Sequence, residues 1–465
     1  MNNFPFTATD CIAAFSSGKV SALEIATASL ERINRANPAL NAFTEITAER
    51  ALAEAKALDQ AKTRGDKLAS FSAVPYAVKN LFDVKDITTL AGAKLHAKNP
   101  PAQQDAKLIK NLHAAGGILT GTLNMDAYAY GFTTENTHYG ATHNPHDLTR
   151  SAGGSSGGTG AAVAAGLVPI GLGSDTNGSI RVPSSLCGTF GLKPTFGRLS
   201  RSGSLPFVAS LDHLGPLATT TQDLALAYDV MQGTDPYDHA CAQRTNQPTL
   251  AELSRGIEGL RIARLTGYFD EYAGVDARWA ARAAADALQA SEEVELPGVA
   301  QARAAAYLIT AAESGALYLD DLRENIEFFE PLSLERLLAG SLIPAAWYQR
   351  ALRYRQVYLK RVLALFDHFD LLIAPATPVT APLLGQTYIK IGVCELPTRP
   401  NMGLLTQPVS FIGLPVAVAP LWPGNGLPIG VQLIAPPWRE DLCLRAAHAL
   451  EQIGLATCKI NNGAT

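Results

Sequence analysis

Leu167-Val168-Pro169-Ile170-Gly171-Leu172-Gly173-Ser174-Asp175-Thr176-Asn177-Gly178-Ser179-Ile180-Arg181 is the stretch that decides the fold. Its first half, Leu167 to Leu172, is an apolar run of strand length, and its second half is a tight loop that carries Ser179. Two more such runs, Ala73 to Val78 and Gly117 to Leu119, precede it, with helix-like stretches between them. Short buried strands alternating with helices are the mark of a sheet covered by helices, so the class is α/β. Leu371-Leu372-Ile373-Ala374-Pro375 returns to strand character late in the chain.

Ser21-Ala22-Leu23-Glu24 has capping-box form and is followed by Ile25, Ala26, Leu30 and Ile33 at helical spacing, with Pro38 expected beyond the helix end. Ala48 to Lys62, rich in Ala, Glu and Lys, predicts a second, partly exposed helix. Helical patterns return over about 275–369, including Trp279 to Ala290 and Trp347 to Phe366. No repeat or flexible linker divides the chain, so residues 1–465 are expected to form one domain, with N-terminal helices over about 8–65 and a helical layer over about 275–369. Gly233 to Pro248 is expected to be an exposed loop.

A chain of 465 residues with 47% hydrophobic side chains can bury a large core, and its 39 Gly and 28 Pro imply many loops. The net charge of −4 provides no broad basic surface, so nucleic acid is not an expected direct partner. Cys11, Cys187, Cys241, Cys394, Cys443 and Cys458 form no C-x-x-C pair, which predicts buried reduced thiols rather than a disulfide framework or zinc site. Met1-Asn2-Asn3-Phe4 has neither the charge nor the apolar run of a secretory signal, and later apolar runs are too short to span a membrane. A cytoplasmic enzyme without metal or cofactor is expected.

A second serine, Ser155, lies upstream in Gly153-Gly154-Ser155-Ser156-Gly157-Gly158, and Lys79 lies earlier in Val74-Pro75-Tyr76-Ala77-Val78-Lys79-Asn80. Together they can supply a nucleophile, a relay and a base without histidine. A lysine base must be neutral, and lowering its pKa from ~10.4 to about 7 to 8 costs on the order of 3 to 5 kcal/mol, supplied by burial. The competing structural role for Lys79 is a surface pair with Asp83 at i+4. Gly153 to Gly157 also fits Gly-x-Ser-x-Gly, but none of His213, His239, His368 and His448 has a context that nominates it as the partner such a site requires. A phosphate-loop reading of the same glycines is weaker still, because the Lys-Ser/Thr ending of that pattern is absent.

The order, spacing and flanks of Lys79, Ser155 and Ser179 resemble the amidase signature family, whose Ser-Ser-Lys triad hydrolyses amides. The resemblance runs from the first helix to Gly430-Val431-Gln432-Leu433-Ile434-Ala435. It implies a mixed sheet covered by helices on both sides, with Ser179 as nucleophile, Ser155 as a relay at a cis peptide, Lys79 as base and Ser156 in support. The tight loop suggests an oxyanion hole of backbone N–H groups from Thr176, Asn177, Gly178 and Ser179. Asn177 replaces a common family glycine, while Asp175 and Arg181 match positions that brace the loop. His138, His143, His146 and Asp147 fall in the family's pre-serine loop, which binds no metal.

Asn124-Met125-Asp126-Ala127-Tyr128-Ala129-Tyr130-Gly131 resembles the family's active-site wall, making Tyr128 a candidate substrate contact. Phe132-Thr133-Thr134-Glu135-Asn136-Thr137-His138-Tyr139-Gly140, Leu192-Lys193-Pro194-Thr195-Phe196-Gly197-Arg198-Leu199-Ser200 and Gly403-Leu404-Leu405-Thr406-Gln407-Pro408-Val409-Ser410-Phe411 narrow the resemblance to a subgroup acting on 1-carboxybiuret. That anion would need a cationic clamp, for which Arg323, near Tyr318, is the candidate; its competing role is a surface pair with Asp320 or Asp321. The resemblance further implies a small helical accessory subunit. The alternatives are a general amidase, the glutaminase subunit of a tRNA-dependent amidotransferase and an inactive scaffold subunit.

Overall fold

The structure is a computed structural model that describes residues 7–424 and 426–461. One mixed sheet contains β1 (Phe43–Ile46), β2 (Pro75–Lys79), β3 (Ile118–Leu123), β4 (Ile170–Asp175), β5 (Phe190–Lys193), β6 (His213–Ala218), β7 (Ile262–Leu265), β8 (Glu292–Val294), β9 (Leu371–Pro375), β10 (Val416–Leu421) and β11 (Ile429–Ile434). Their order across the sheet is β1-β3-β2-β4-β6-β5-β10-β11-β9-β7-β8. β2 runs parallel to β3 and β4, and β7 runs parallel to β9 and β8, whereas the other pairs are antiparallel. Every residue of β2, β3, β4, β6, β10 and β11 is buried, as expected of strands covered on both faces. The α/β class read from the sequence is the observed one.

The parallel pairing of β2 and β4 places the chemistry. Val78 stands opposite Leu172, so Lys79, the last residue of β2, emerges at the same sheet edge as Ser174 and Asp175 at the end of β4. The carboxyl ends of parallel strands are where α/β sheets form binding crevices. α4 (Gly157–Ala164), built entirely of small and β-branched residues and wholly buried, follows the first serine loop. α5 (Arg181–Cys187) follows the second.

The earlier helices α1 (Ala8–Ser16), α2 (Ala22–Leu40) and α3 (Ala48–Thr63) open the chain. The capping box at Ser21 and Glu24 is present in full. Pro38 lies inside the last turn of α2 rather than beyond it, because a proline near a helix end sacrifices only one N–H bond; the turn closes instead at Asn41, whose N–H reaches Asn37 O at 2.7 Å in a left-handed conformation. Within the late helical stretch lie α6 (Val275–Ala287), α7 (Val299–Leu317), α8 (Pro331–Ser341) and α9 (Ala345–Leu363). β8 interrupts that stretch and pairs at the sheet edge, where three residues between helices leave almost no periodicity to read. α7 and α8 cross closely at Gly340, where any Cβ would meet the backbone of Ala311. Among the described residues, no helix is long and apolar enough to cross a membrane.

The cysteines are all free; Cys11, Cys187, Cys241 and Cys443 are buried as expected, whereas Cys458 is half-buried and Cys394 is exposed, on the two-stranded ribbon of Tyr388–Ile391 with Cys394–Pro397.

Candidate active site

Lys79 is completely buried, and its Nζ donates to Ser155 Oγ at 2.6 Å and Ser174 Oγ at 2.9 Å. The surface pair with Asp83 does not form: Asp83 Oδ1 accepts from Thr89 Oγ1 at 2.5 Å. Burial lowers the Lys79 pKa to about 7, against the opposing pull of Asp126, Asp175 and Asp212. A lysine so placed is neutral in a large fraction of molecules near neutral pH, and its lone pair can take a proton from a hydroxyl.

The two serine loops meet through Ser156. Ser156 Oγ donates to Ser174 O at 3.2 Å and accepts from Ser174 N at 3.3 Å, while Ser156 N donates to Ser179 O at 3.3 Å. The Gly154–Ser155 peptide is cis. Ser155 O accepts from Asp126 N at 3.2 Å, which ties the first loop to the wall segment. Ser179, only 3% exposed, lines a pocket together with Thr176, Asn177, Tyr130, Arg336 and Gln407.

The backbone N–H groups of Thr176, Asn177, Gly178 and Ser179 donate to no acceptor among the described residues. Buried amides are nearly always paired, so four consecutive free donors beside a pocket form a ready site for an oxyanion. The loop itself is firmly held. Thr176 Oγ1 donates to Asp212 at 2.6 Å, Thr406 Oγ1 donates to Asn177 O at 2.6 Å, and Asn177 Nδ2 donates to Thr310 Oγ1 at 2.8 Å. Gly178 adopts φ +144°, and a Cβ there would run into the Thr406 side chain. Behind the loop, Arg181 pairs with Asp175 at 2.9 Å, both fully buried.

Three expected substrate contacts lie elsewhere. Arg323 is 68% exposed and sits 3.5 Å from Asp320, so the surface pair has prevailed over the clamp. Tyr128 and Tyr318 pack against each other with centroids 4.8 Å apart, beside Phe329 and His96, and neither lines the Ser179 pocket. The loop histidines engage separate main-chain groups: His138 Nδ1 accepts from Lys94 N at 3.0 Å, His143 Nδ1 lies 2.6 Å from Leu148 O, and His146 Nε2 lies 2.8 Å from Cys187 O. His213 Nδ1 faces the carbonyls of Asp175 and Leu211, and Ser155 Oγ is engaged by Lys79, so the Gly-x-Ser-x-Gly reading gains no histidine.

Sequence reasoning missed Ser174, Asp212, Thr406, Arg336 and Gln407. Ser174 had a signal, being in the quoted stretch one residue before Asp175. Thr406 and Gln407 also stand in a quoted stretch, residues 403–411, without having been given a role, whereas Asp212 and Arg336 come from unremarked segments and meet the serine loops only through the fold.

The family model "Amidase" matches residues 24–444. The chain belongs to the amidase family. Amidases hydrolyse amide bonds, and this chain is an amide-hydrolysing enzyme. It is 57% identical to AtzE, a 1-carboxybiuret hydrolase subunit of Pseudomonas sp. (strain ADP), over 97% of this chain and 99% of that one. It is 37% identical to a glutamyl-tRNA(Gln) amidotransferase subunit of Chloroflexus aggregans, over 95% of this amidase and 94% of the relative. Among solved structures, one from work on a vestigial protein complex and the evolutionary origins of an s-triazine catabolic enzyme superposes with a TM-score of 0.97 at 56% identity, covering 97% of this amidase and 100% of that chain.

Proposed function

We propose that this amidase cleaves the terminal carboxamide of 1-carboxybiuret, giving ammonia and urea-1,3-dicarboxylate. The observation that carries the chemistry is the buried 2.6 Å contact between Lys79 and Ser155, beside a Ser179 loop with four free amides. The 57% identity to a 1-carboxybiuret hydrolase subunit supports the substrate.

Ser179 Oγ attacks the carboxamide carbon as its proton passes to Ser155, whose own proton passes to neutral Lys79. Negative charge develops on the carbonyl oxygen, and the amides of residues 176–179 stabilise it without having to reorganise. The C–N bond breaks as the relay returns a proton to nitrogen, so ammonia leaves and Ser179 holds the remainder as an ester. Water, deprotonated by the same relay, then hydrolyses that ester, releasing the new carboxylate and restoring Ser179. Ser156 supports the relay by bridging both loops, and Asp175 with Arg181 braces the second loop from behind.

Ammonia release from 1-carboxybiuret made in situ from cyanuric acid, compared with biuret, glutamine and a simple aliphatic amide, tests the substrate. Fast release only from the carboxylated compound is expected; glutamine as the preferred substrate would replace this reading with a glutaminase. Ser179→Ala is expected to abolish turnover and labelling by a fluorophosphonate while leaving the unfolding transition in place, and labelling that persists would remove Ser179 as nucleophile. Gly178→Ala is expected to lower kcat by about 100-fold, the effect of misplacing one oxyanion donor, with KM changing much less. Unaltered kcat would show that the loop amides do not meet the transition state.

The 57% identical relative is itself a hydrolase subunit, and a small helical partner is part of the same proposal. Purification from the native host is expected to bring down a second, smaller chain. A fully active lone monomer would refute it.

A further inference from the structure

With Arg323 on the surface, another cation must meet the substrate carboxylate. We infer that Arg336 is the carboxylate-binding, specificity-determining residue of the Ser179 pocket. This rests on the proposed hydrolysis only for the identity of the substrate; the presence of an anion subsite stands on the pocket alone.

Arg336 rises from α8 into the pocket that Ser179 and Asn177 also line. Its guanidinium carbon lies 3.9 Å from the centroid of the Tyr130 ring, and Nη2 donates to Tyr130 O at 2.8 Å. Those two contacts fix the plane of the fork. Nε and Nη1 donate to no acceptor among the described residues, and no carboxylate pairs with this arginine. The adjacent guanidinium is different, because Arg399 is already matched by Asp126 at 2.8 Å. Of these two adjacent guanidiniums Arg399 holds the one carboxylate, so Arg336 keeps its charge uncompensated, while Arg303 is engaged by the amide oxygens of Gln407 and Asn401.

Such a charge is costly to keep half-buried, since an arginine does not deprotonate to escape the cost. An incoming carboxylate offsets it and can engage two parallel N–H donors of the fork. Gln407 adds a neutral donor to the same pocket. Arg303 Nε donates to Gln407 Oε1 at 3.0 Å, which fixes the amide so that Nε2 is the end left for a ligand. A fixed cation, a free amide donor and the serine loop in one pocket select a small amide that carries a carboxylate, and disfavour one that leaves the arginine unmatched.

Two assays of wild type, Arg336→Met and Arg336→Lys test this. In the first, the ratio of kcat/KM for 1-carboxybiuret to that for biuret is expected to fall about 30- to 100-fold in Arg336→Met, the scale of a lost charge-assisted pair, with partial recovery in Arg336→Lys. An equal fall on both substrates overturns the inference, because it would mark Arg336 as structural. In the second, malonate competes with a neutral amide, and its inhibition constant is expected to rise at least about 30-fold in Arg336→Met. Malonate that fails to inhibit wild type, or inhibits all three equally, also overturns it. If 1-carboxybiuret is not a substrate but malonate inhibition depends on Arg336, the substrate proposal falls and the anion subsite stands; should Arg336→Met fail to fold, Arg336→Lys carries both assays.

Discussion

Lys79→Met is expected to lower kcat by about 10^3- to 10^4-fold and, at neutral pH, to make the protein more stable than the wild type. Both effects come from the same burial. The folded-state pKa of about 7 lies well below the unfolded value of ~10.4. Between those two values the unfolded chain holds a proton that the folded chain has released, so stability rises with pH across that window. Well below pH 7 the amine is protonated in both states, and the full burial cost, on the order of 4 to 5 kcal/mol, opposes folding; at pH 7, where about half of the folded molecules hold the proton, most of that cost remains. Methionine removes the cost but strands the hydroxyls of Ser155 and Ser174, so a net gain of about 1 to 3 kcal/mol is expected. Urea unfolding at several pH values checks the sign: the advantage of the variant must shrink toward pH 10. In the wild type, kcat/KM is expected to rise with pH through a midpoint near 7 as the base loses its proton. A variant less stable than wild type at pH 7 would mean that Lys79 is a structural cation held by its neighbours, and the relay would lose its base.

Local signals carried the reading of the fold and of the triad, and non-local ones did not. The strand run ending at Asp175 and the capping box at Ser21 are legible because each is decided by residues a few positions apart. Lys79 illustrates the boundary. In isolation its i+4 spacing to Asp83 favours a surface pair, and only the parallel pairing of β2 with β4 makes the buried alternative possible. Arg336 was illegible for the opposite reason: nothing around it in sequence distinguishes it from Arg323, on the preceding helical turns. One is matched by Asp320 in solvent and the other is left unmatched over Tyr130, a difference made by where α8 crosses α7. Likewise Asp212 and Thr406 lie far along the chain from the loop they hold, and no periodicity links them to it.

Arg181→Met is expected to destabilise the protein by about 3 to 5 kcal/mol, measured by denaturant unfolding. The arginine is fully buried and binds Asp175 through Nε at 2.9 Å and Nη2 at 3.0 Å, Gln432 Oε1 at 2.6 Å, Thr406 O at 3.1 Å and the Ser410 hydroxyl. Gln432 in turn donates to Pro375 O at 3.0 Å and Leu405 O at 3.1 Å, so one guanidinium joins the serine loop to β9, β11 and the segment bearing Thr406. Burial alone would push the Asp175 carboxyl up, but the charge and hydrogen bonds of Arg181 outweigh it and hold the group well below the usual carboxylate range. Removing the arginine leaves that carboxylate buried without its partner, which is the expensive half of breaking an ion pair. Replacing both residues, Asp175→Leu with Arg181→Met, is therefore expected to cost less than the two single losses combined, because no charge is stranded. Additive losses would mean that the two side chains act through separate contacts. Activity should not follow stability in this cycle: the double variant regains much of the folding free energy but lacks the brace beneath residues 176–179, so its kcat is expected to stay depressed.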